Sequence, residues 1–384
     1  MIKNNNKMKN NNIINLNPYY ISGLVQSDGN FSVRTNKKDN NIWLSPAFNI
    51  TLHKKNEELI INIKNYFNVG HYRIDNKGYC RYNVTDLKDL NNIIIPFFLK
   101  YQLKSEKFNS FIMFKIICNK LYNKEHLDII KNNNTKYNKL IKDNNPNVTF
   151  TTKFKESLSN IRYNIIKLYL INLAYNINPL SNNRKLKSRE NLLRFLNKDE
   201  RLIVLSNNLN YELLIKQEII KYKNNDKINI DFIKGLIDGD GSITTYITNE
   251  LSLRVDFSIT QDIHNITLLY EIKEFFNNVG NISDLKCNAF RYDIRSRYDI
   301  LNEFIPKFNN NYSNGINNNV RLFKIKYMIK LLEFINNNNS SIIKNKEQLI
   351  KVSKLMYWIF NNVNNLTLNQ YINFMLNKFK NKIN

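Results

Sequence analysis

The chain is short of several residue types, and each shortage excludes something. Of 384 residues only three are cysteine; Cys80, Cys118 and Cys287 stand far apart with no CxxC pair. That argues against a disulfide framework and against a cysteine zinc site. Four histidines, His53, His71, His126 and His264, form no HExxH motif and no close pair. Each reads as an ordinary polar residue and not as a metal ligand. The nine glycines and six prolines are too few for a collagen-like or low-complexity chain. No P-loop, dinucleotide fingerprint or nucleophile elbow occurs among them. The longest apolar stretches, such as 93–99 and 111–118, are too short to span a bilayer, so no membrane is expected as a partner. Acidic residues are also scarce: 32 Asp+Glu face 57 Lys+Arg, a formal charge of +25. Solubility alone rarely needs so large an imbalance of one sign, and a polyanion, most simply nucleic acid, is the implied partner.

Asparagine and lysine are what the chain has in excess, in runs such as Asn4–Asn6 and Asn132–Asn134. The runs read as solvated loops or frayed ends. The bias suggests A/T-rich codons and hence an organellar, mitochondrial gene. The N-terminus is basic, since the first acidic residue is Asp28, but it has no arginine and no apolar face to suggest a transit peptide. With 42% hydrophobic residues the chain can build cores, and its length suits two or three domains.

The clearest signal is a repeat. Ile21–Phe31 reads ISGLVQSDGNF and Ile233–Ile243 reads IKGLIDGDGSI, with Gly23 and Gly235 separated by 212 positions (235 − 23). Val69-Gly70 recurs as Val279-Gly280, Arg81–Val84 as Arg291–Ile294 and Ile95-Pro96 as Ile305-Pro306, each 210 apart (for instance 279 − 69). Phe114-Lys115 matches Phe323-Lys324 at 209 (323 − 114). Matches in constant order at nearly constant offset mark a duplicated unit. Each copy predicts a helix ending at an Asp-Gly pair, two strands, an amphipathic helix (57–67 and 265–277), a hairpin and further helices. The result is αββαββα twice, an α+β fold with one antiparallel sheet per unit. On this reading residues 1–15 are a disordered basic N-terminus, 16–131 the first unit, 132–226 a helical linker and 227–384 the second unit. Helical patterns in the linker run over 153–175, 189–196 and 211–222.

The repeated phrase has a physical purpose. Gly23 and Ser27 lie four apart on one helix face, as do Gly235 and Gly239. Small residues at that spacing let two helices cross closely, so the motif helices are expected to pack on each other about a pseudo-twofold axis. Gly29 and Gly241 are expected in the left-handed conformation that ends many helices. Asp28 and Asp240 sit at the unfavourable end of the helix dipole, at a cost of about 0.3–1 kcal/mol each. A shared divalent cation would remove that cost, and carboxylates with carbonyl oxygens suit Mg²⁺, which can activate water against a phosphodiester. In the sheets, Arg254, Asp256, Ser258 and Thr260 alternate with apolar neighbours; Arg81, Asn83, Arg291, Asp293 and Arg295 form a similar polar face. Such faces can read the DNA major groove. Arg34, Lys37, Arg73, Arg81, Asn83, Arg254, Arg291 and Arg295 are the candidate DNA contacts.

The segments Ile21–Gly29 and Ile233–Gly241 resemble the LAGLIDADG signature, and the repeat around them is similar to the double-motif LAGLIDADG homing endonucleases. The resemblance implies a monomer of two αββαββα halves whose sheets form a saddle on a long asymmetric DNA site. It implies Asp28 and Asp240 as metal-binding acids, with backbone carbonyls of Ser27 or Gly239 beside them, and a double-strand break that spreads the host intron. It also implies a supporting polar strand residue and a basic residue at each centre. Gln261 fits the first role, with Leu52 at the matching position of the first unit; Lys107, next to Lys104, fits the second. The matching stretch 313–320 has no Lys or Arg, so the second centre is expected to lack its basic residue. Gln26 replaces the first acid of the motif, where Asp238 stands in the other copy. An RNA maturase acting on its own intron is the alternative function. A non-catalytic DNA-binding regulator ranks last, because both motif acids are present.

Overall fold

The structure is a computed structural model and describes residues 16–38, 41–125, 208–286, 288–309, 320–338, 340–360 and 366–383. The helical patterns at 153–175 and 189–196 lie outside these residues, and so does most of the linker.

Asn17 opens the first unit: its side chain accepts from the Tyr19 N–H at 2.9 Å, and proline follows at the first helical position. Both features favour a helix start. The helix α1 (Pro18–Asp28) leads directly into β1 (Gly29–Lys38) and β2 (Asn41–His53), then α2 (Glu57–Phe67), β3 (His71–Ile74) and β4 (Tyr79–Val84). A helical stretch follows as α3 (Leu87–Asp89), a π-turn over Leu90–Ile94, and α4 (Ile95–Lys100), before α5 (Ser105–Tyr122). The second unit repeats this order. It comprises α7 (Ile230–Asp240), β5 (Gly241–Ile247), β6 (Leu253–Asp262), α8 (Ile266–Phe275), β7 (Asn281–Asp284), β8 (Ala289–Ile294), α9 (Arg297–Asp299), a π-turn over Ile300–Phe304, α10 (Ile305–Asn309) and α11 (Val320–Asn337). Each unit holds one antiparallel four-stranded sheet, β1-β2-β4-β3 and β5-β6-β8-β7. The αββαββα duplication expected from the sequence is therefore the fold.

Apolar residues from alternate strand positions, among them Phe31, Phe48, Ile50 and Tyr82, are buried against α1, α2 and α5; Phe257, Ile259 and Tyr292 do the same in the second unit. The match extends to single hydrogen bonds. The buried Tyr82 hydroxyl donates to the Val69 carbonyl, and the Tyr292 hydroxyl donates to the Val279 carbonyl, each at 3.0 Å. The opposite face of each sheet is polar.

Two additions break the symmetry. Helix α6 (Asn208–Tyr222) docks on α5 through an ion pair of Lys115 with Glu218 at 2.8 Å, with the Lys115 ammonium 4.0 Å from the Tyr222 ring centre. After α11, the stretch around Ser341–Ile343 pairs with Leu251–Leu253. Helices α12 (Lys346–Phe360) and α13 (Leu368–Lys378) then pack beside α11 and β5.

One expectation about the motif is corrected. Gly29 (φ −82°) and Gly241 (φ −71°) are extended, not left-handed. Helix passes straight into strand, and glycine is needed for space: a Cβ at Gly29 would come within 2.8 Å of the Val25 backbone, and one at Gly241 within 2.7 Å of the Ile237 backbone.

Candidate active site and nucleic-acid interface

The two motif helices cross at their small residues. A Cβ added to Gly23 would run into the carbonyl oxygen of Phe232 and come within 2.9 Å of the Leu236 nitrogen. One added to Gly235 would meet the Tyr20 carbonyl oxygen and the Leu24 nitrogen at 2.6 Å. At Gly239 it would strike the Ser27 side chain and lie 3.0 Å from an Asp28 carboxylate oxygen. Backbone thus meets backbone at Gly23 and Gly235, and the acid ending α1 lies against the helix that ends in Asp240.

Lys107 joins the two acids. Its ammonium donates to the Gly29 carbonyl at 2.5 Å. Burial pushes its pKa down to about 8, opposed by the attraction of Asp240 and then of Asp28. Both motif carboxylates therefore act on the ammonium of one half-buried lysine. The Gln261 amide donates to Asp240 Oδ2 at 2.5 Å. In the other sheet Leu52, equally buried, stands at the matching register position opposite Cys80, as Gln261 stands opposite Phe290.

A lysine does stand beside the second acid, where the sequence repeat offered none. Lys324 lines a hollow of about 520 Å³ together with Asp240, Gly241, Ser242 and Thr260. The match of Phe114-Lys115 to Phe323-Lys324 sets the last helices out of register by eight positions. In the structure the buried faces Phe108, Phe111, Phe114 and Cys118 correspond to Ile325, Met328, Leu331 and Ile335. That is a shift of 217 (325 − 108), which puts Lys324 where Lys107 stands. The extra residues fall between α10 and α11. Comparing helix faces from their C-terminal ends, and not identical dipeptides, would have found it. A second hollow of about 380 Å³ lies beside the first acid, lined by Asp28, Thr51, Leu52, Lys55, Tyr79 and Gly239.

Gln26 and Asp238 occupy equivalent places and do different work. The buried Gln26 amide accepts from the Lys104 N–H at 2.9 Å and donates to the Lys104 carbonyl at 3.3 Å, holding both main-chain polar groups of one residue. An aspartate could only accept. Asp238 accepts from the Tyr20 hydroxyl at 2.6 Å across the helix pair. The segment held by Gln26 leads into α5, whose first turn carries Lys107. Lys104 also donates to the Asp226 carbonyl at 2.6 Å and lies 3.4 Å from Glu271 of α8. Ser105 begins α5 with φ 49° and contacts Thr267 Oγ1 at 2.7 Å. The loop is thus tied to both units and to the segment before α7.

The candidate DNA contacts lie mainly on the polar sheet faces. Arg81 pairs in register with Arg73 and Thr51, and its Nε donates to the Thr51 hydroxyl at 3.1 Å. Asn83 pairs with Asn49 and His71. Arg34, exposed, pairs with Ser45; Arg254, exposed, pairs with Tyr246. Arg291 stands between Thr260 and Ser283, with its Nε buried and without a hydrogen-bond partner. Lys37 is paired with Ile42, three register steps (37 − 34) beyond the Arg34 pair, and so alternates with the Arg34 positions instead of sharing them. Arg295 follows the end of β8 beside Asp293. Among the described residues no group of three or more His, Cys, Asp or Glu side chains gathers as a metal cluster, and no helix is long and apolar enough to cross a membrane.

A family model described as LAGLIDADG endonuclease matches residues 21–118 and 233–329. The chain belongs to the LAGLIDADG endonuclease family. The two matched segments are the two units of the fold, each starting in its motif helix. The "Probable intron-encoded DNA endonuclease 1" of Mycosarcoma maydis is 22% identical over 310 residues, which cover 79% of this chain and 96% of that protein. Among solved structures, the LAGLIDADG homing endonuclease I-GzeII in complex with its DNA target superposes with a TM-score of 0.63 at 23% identity, covering 91% of this chain and 98% of that one. I-SmaMI bound to uncleaved DNA in the presence of calcium ions gives 0.60 at 18% identity, over 89% and 98% of the two chains. At these identities the structures speak for the fold. Helices α12 and α13 lie beyond the second matched segment.

Proposed function

We propose that this LAGLIDADG endonuclease cuts both strands of a long, asymmetric DNA target and so spreads its host intron. One observation carries the reading: glycine-to-backbone packing of α1 on α7 brings Asp28 and Asp240 towards one half-buried lysine, Lys107, where each motif helix passes into its sheet. The fungal relative named as an intron-encoded DNA endonuclease supports the same activity, and with the A/T-rich composition it supports a mitochondrial gene. A single chain holds both units, so it works as a monomer.

The donor set fits a hard divalent cation. Two carboxylates end adjacent helices where the dipole is negative, and backbone carbonyls of Ser27 and Gly239 lie beside them. When bound, Mg²⁺ supplies activation of water and charge stabilisation at the departing oxygen of the phosphodiester. The remaining work falls to the protein. Gln261 fixes the rotamer of Asp240 through its amide. Lys324 offers positive charge to phosphoryl oxygens in its hollow, and Lys107, held on the Gly29 carbonyl, offers its charge beside the two acids. The sheets hold the duplex so that each hollow meets one strand. Leu52 gives the first centre no amide like that of Gln261, so the two strands are cut at unequal rates.

An RNA maturase on the same fold remains the second reading, tested by intron splicing with the Asp28→Asn, Asp240→Asn double variant. The incomplete surroundings of both acids and the long basic linker support it; Lys324 beside Asp240 supports the nuclease instead. For the nuclease, purified protein with Mg²⁺ cleaves its target selected from a DNA library. Asp28→Asn and Asp240→Asn each lower double-strand cleavage by about a hundredfold or more, while DNA is still bound. EDTA likewise stops cutting without releasing DNA. Folded protein that cuts nothing, or variants that cut like the wild type, would refute the reading.

A further inference from the structure

The two sheets share a backbone but not a chemistry. Register pairing fixes which positions correspond. Gly29 pairs with Ile50 and Gly241 with Ile259, so the row Asn30–Asn49–Asn83–His71 matches the row Ser242–Ser258–Asp293–Asn281. One step outward, Ser32–Ala47 matches Thr244–Asp256. Thr85, just past β4, matches Arg295. The second sheet therefore carries Asp256, Asp293 and Arg295 where the first carries Ala47, Asn83 and Thr85. Within the described strands of the first polar face no carboxylate occurs; the nearest, Asp75, lies in the turn after β3 and is drawn to Arg81. On the second, two stand near its middle, and a third, Asp262, caps the turn after β6.

These carboxylates are organised. Asp293 is buried, and its Oδ2 accepts from Arg295 Nε at 2.9 Å, with Nη2 3.4 Å from the other oxygen. Burial pushes the Asp256 pKa up; Arg295 draws it back, the Asp293 carboxylate raises it further and Arg254 lowers it. The bland alternative is a solvated ion-pair patch, worth about 0–1 kcal/mol. Burial of Asp293 and confinement of the cluster to one sheet speak against it. A groove walled by phosphates repels a carboxylate unless a donor meets it. The major groove offers such a donor only on cytosine N4 and adenine N6, and adenine adds the acceptor N7 beside it. A carboxylate therefore favours cytosine. Arg295, held on one edge by Asp293, keeps N–H groups for guanine O6 and N7.

We propose that Asp256 is a specificity-determining residue that selects cytosine in the half of the target beneath the second sheet, and that Arg295, positioned by Asp293, reads a guanine next to it. The assignment rests on the DNA-cleavage reading above. The test is selection of cleaved sites from a randomised DNA library by the full chain, with Arg34→Ala marking the half read by the first sheet. Wild type is expected to require cytosine at one position of the other half. Asp256→Ala flattens that preference by about 5- to 150-fold, and Asp256→Asn, nearly isosteric, moves it to adenine. Arg295→Ala weakens guanine at the adjoining position, Asp293→Asn does so less, and the double variant loses no more than Arg295→Ala alone. A cytosine preference that survives Asp256→Ala and Asp256→Asn, or no cytosine in that half, overturns the inference. If wild type enriches no sequence at all, the cleavage reading fails instead.

Discussion

Gly23→Ala adds one methyl group at the centre of the molecule, and two effects compete over it. Alanine is the better helix former by about 1 kcal/mol. Against this, the new Cβ would lie 2.7 Å from the Phe232 carbonyl carbon and 2.9 Å from the Leu236 nitrogen, as well as against the Phe232 oxygen. Ordinary contact needs about 3.4–4 Å, and the obstacles are backbone, which no rotamer change removes. The helices must separate by about 1 Å. Overpacking of this kind costs about 1–3 kcal/mol and sometimes more; with backbone on both sides the upper end applies. The net loss is about 2 kcal/mol, or a Tm lowered by about 4–8 °C. Cutting suffers beyond stability, because Asp28 and Asp240 move apart with the helices, and a displacement of 1 Å at a reacting centre can cost about a hundredfold. Gly235→Ala behaves alike. Once the helices have separated the second methyl costs less, so the double variant is less destabilised than the sum. Gly78→Ala is the control: φ is 80° and nothing lies within 4 Å. It loses about 1–2 kcal/mol to backbone strain and cuts at the wild-type rate. Thermal unfolding and cleavage rates measured on the four variants decide the matter. Gly23→Ala melting at or above wild type, with unchanged cutting, would mean that the helices do not cross on these faces.

Two further outcomes follow from the asymmetric polar contacts. Lys107→Ala and Lys324→Ala are expected to slow the cutting of different strands, so that each variant accumulates nicked DNA by about tenfold or more, with opposite strands intact; strand-specific end labels read this directly. Gln26→Leu leaves the Lys104 N–H and carbonyl without the amide partner, costing about 1–3 kcal/mol, and it slows the strand that depends on Lys107 while leaving the Lys324 strand nearly unchanged. Equal slowing of both strands would mean that Gln26 serves the fold alone.

Much of the fold could be read in the chain because duplication doubles every signal. The Asp-Gly pairs, the alternation in 251–261 and the Ile-Pro helix entries each appeared twice, and their offsets carried the strand order. What could not be read depended on space between distant segments. Gly29 and Gly241 looked like left-handed caps because sequence shows a glycine after a helix; only the crowding of Val25 and Ile237 reveals that a side chain has no room there. Lys324 was missed because insertions in loops cost little and shift offsets abruptly, whereas the helix face that follows keeps its own period. The grip of Gln26 on Lys104 joins positions 78 residues apart, with no local pattern to betray it.

The centre of the molecule separates what duplication preserves from what it frees. Backbone-to-backbone contacts remain paired: Gly23 meets Phe232 as Gly235 meets Tyr20, and the Asp-Gly junctions are alike. Steric exclusion by main chain leaves no second solution, so both copies must keep it. Polar contacts have drifted apart. Tyr20 bonds Asp238 across the helix pair, where the opposite positions hold Phe232 and Gln26, and Ser22 donates to the Tyr101 carbonyl where Lys234 instead pairs with Asp231. A buried polar group needs a partner, but any satisfied partner will serve, and the two halves have found different ones. In a protein cutting a symmetric site, both halves would be held to one solution by identical substrates. Here the sheet faces, the supporting residues Leu52 and Gln261 and the lengths of chain leading into the lysine-bearing helices all differ. Divergence that reaches from the groove surface to the acids, while sparing the helix crossing, is what an asymmetric target permits: the halves are bound to each other by geometry and to their own stretches of DNA by chemistry.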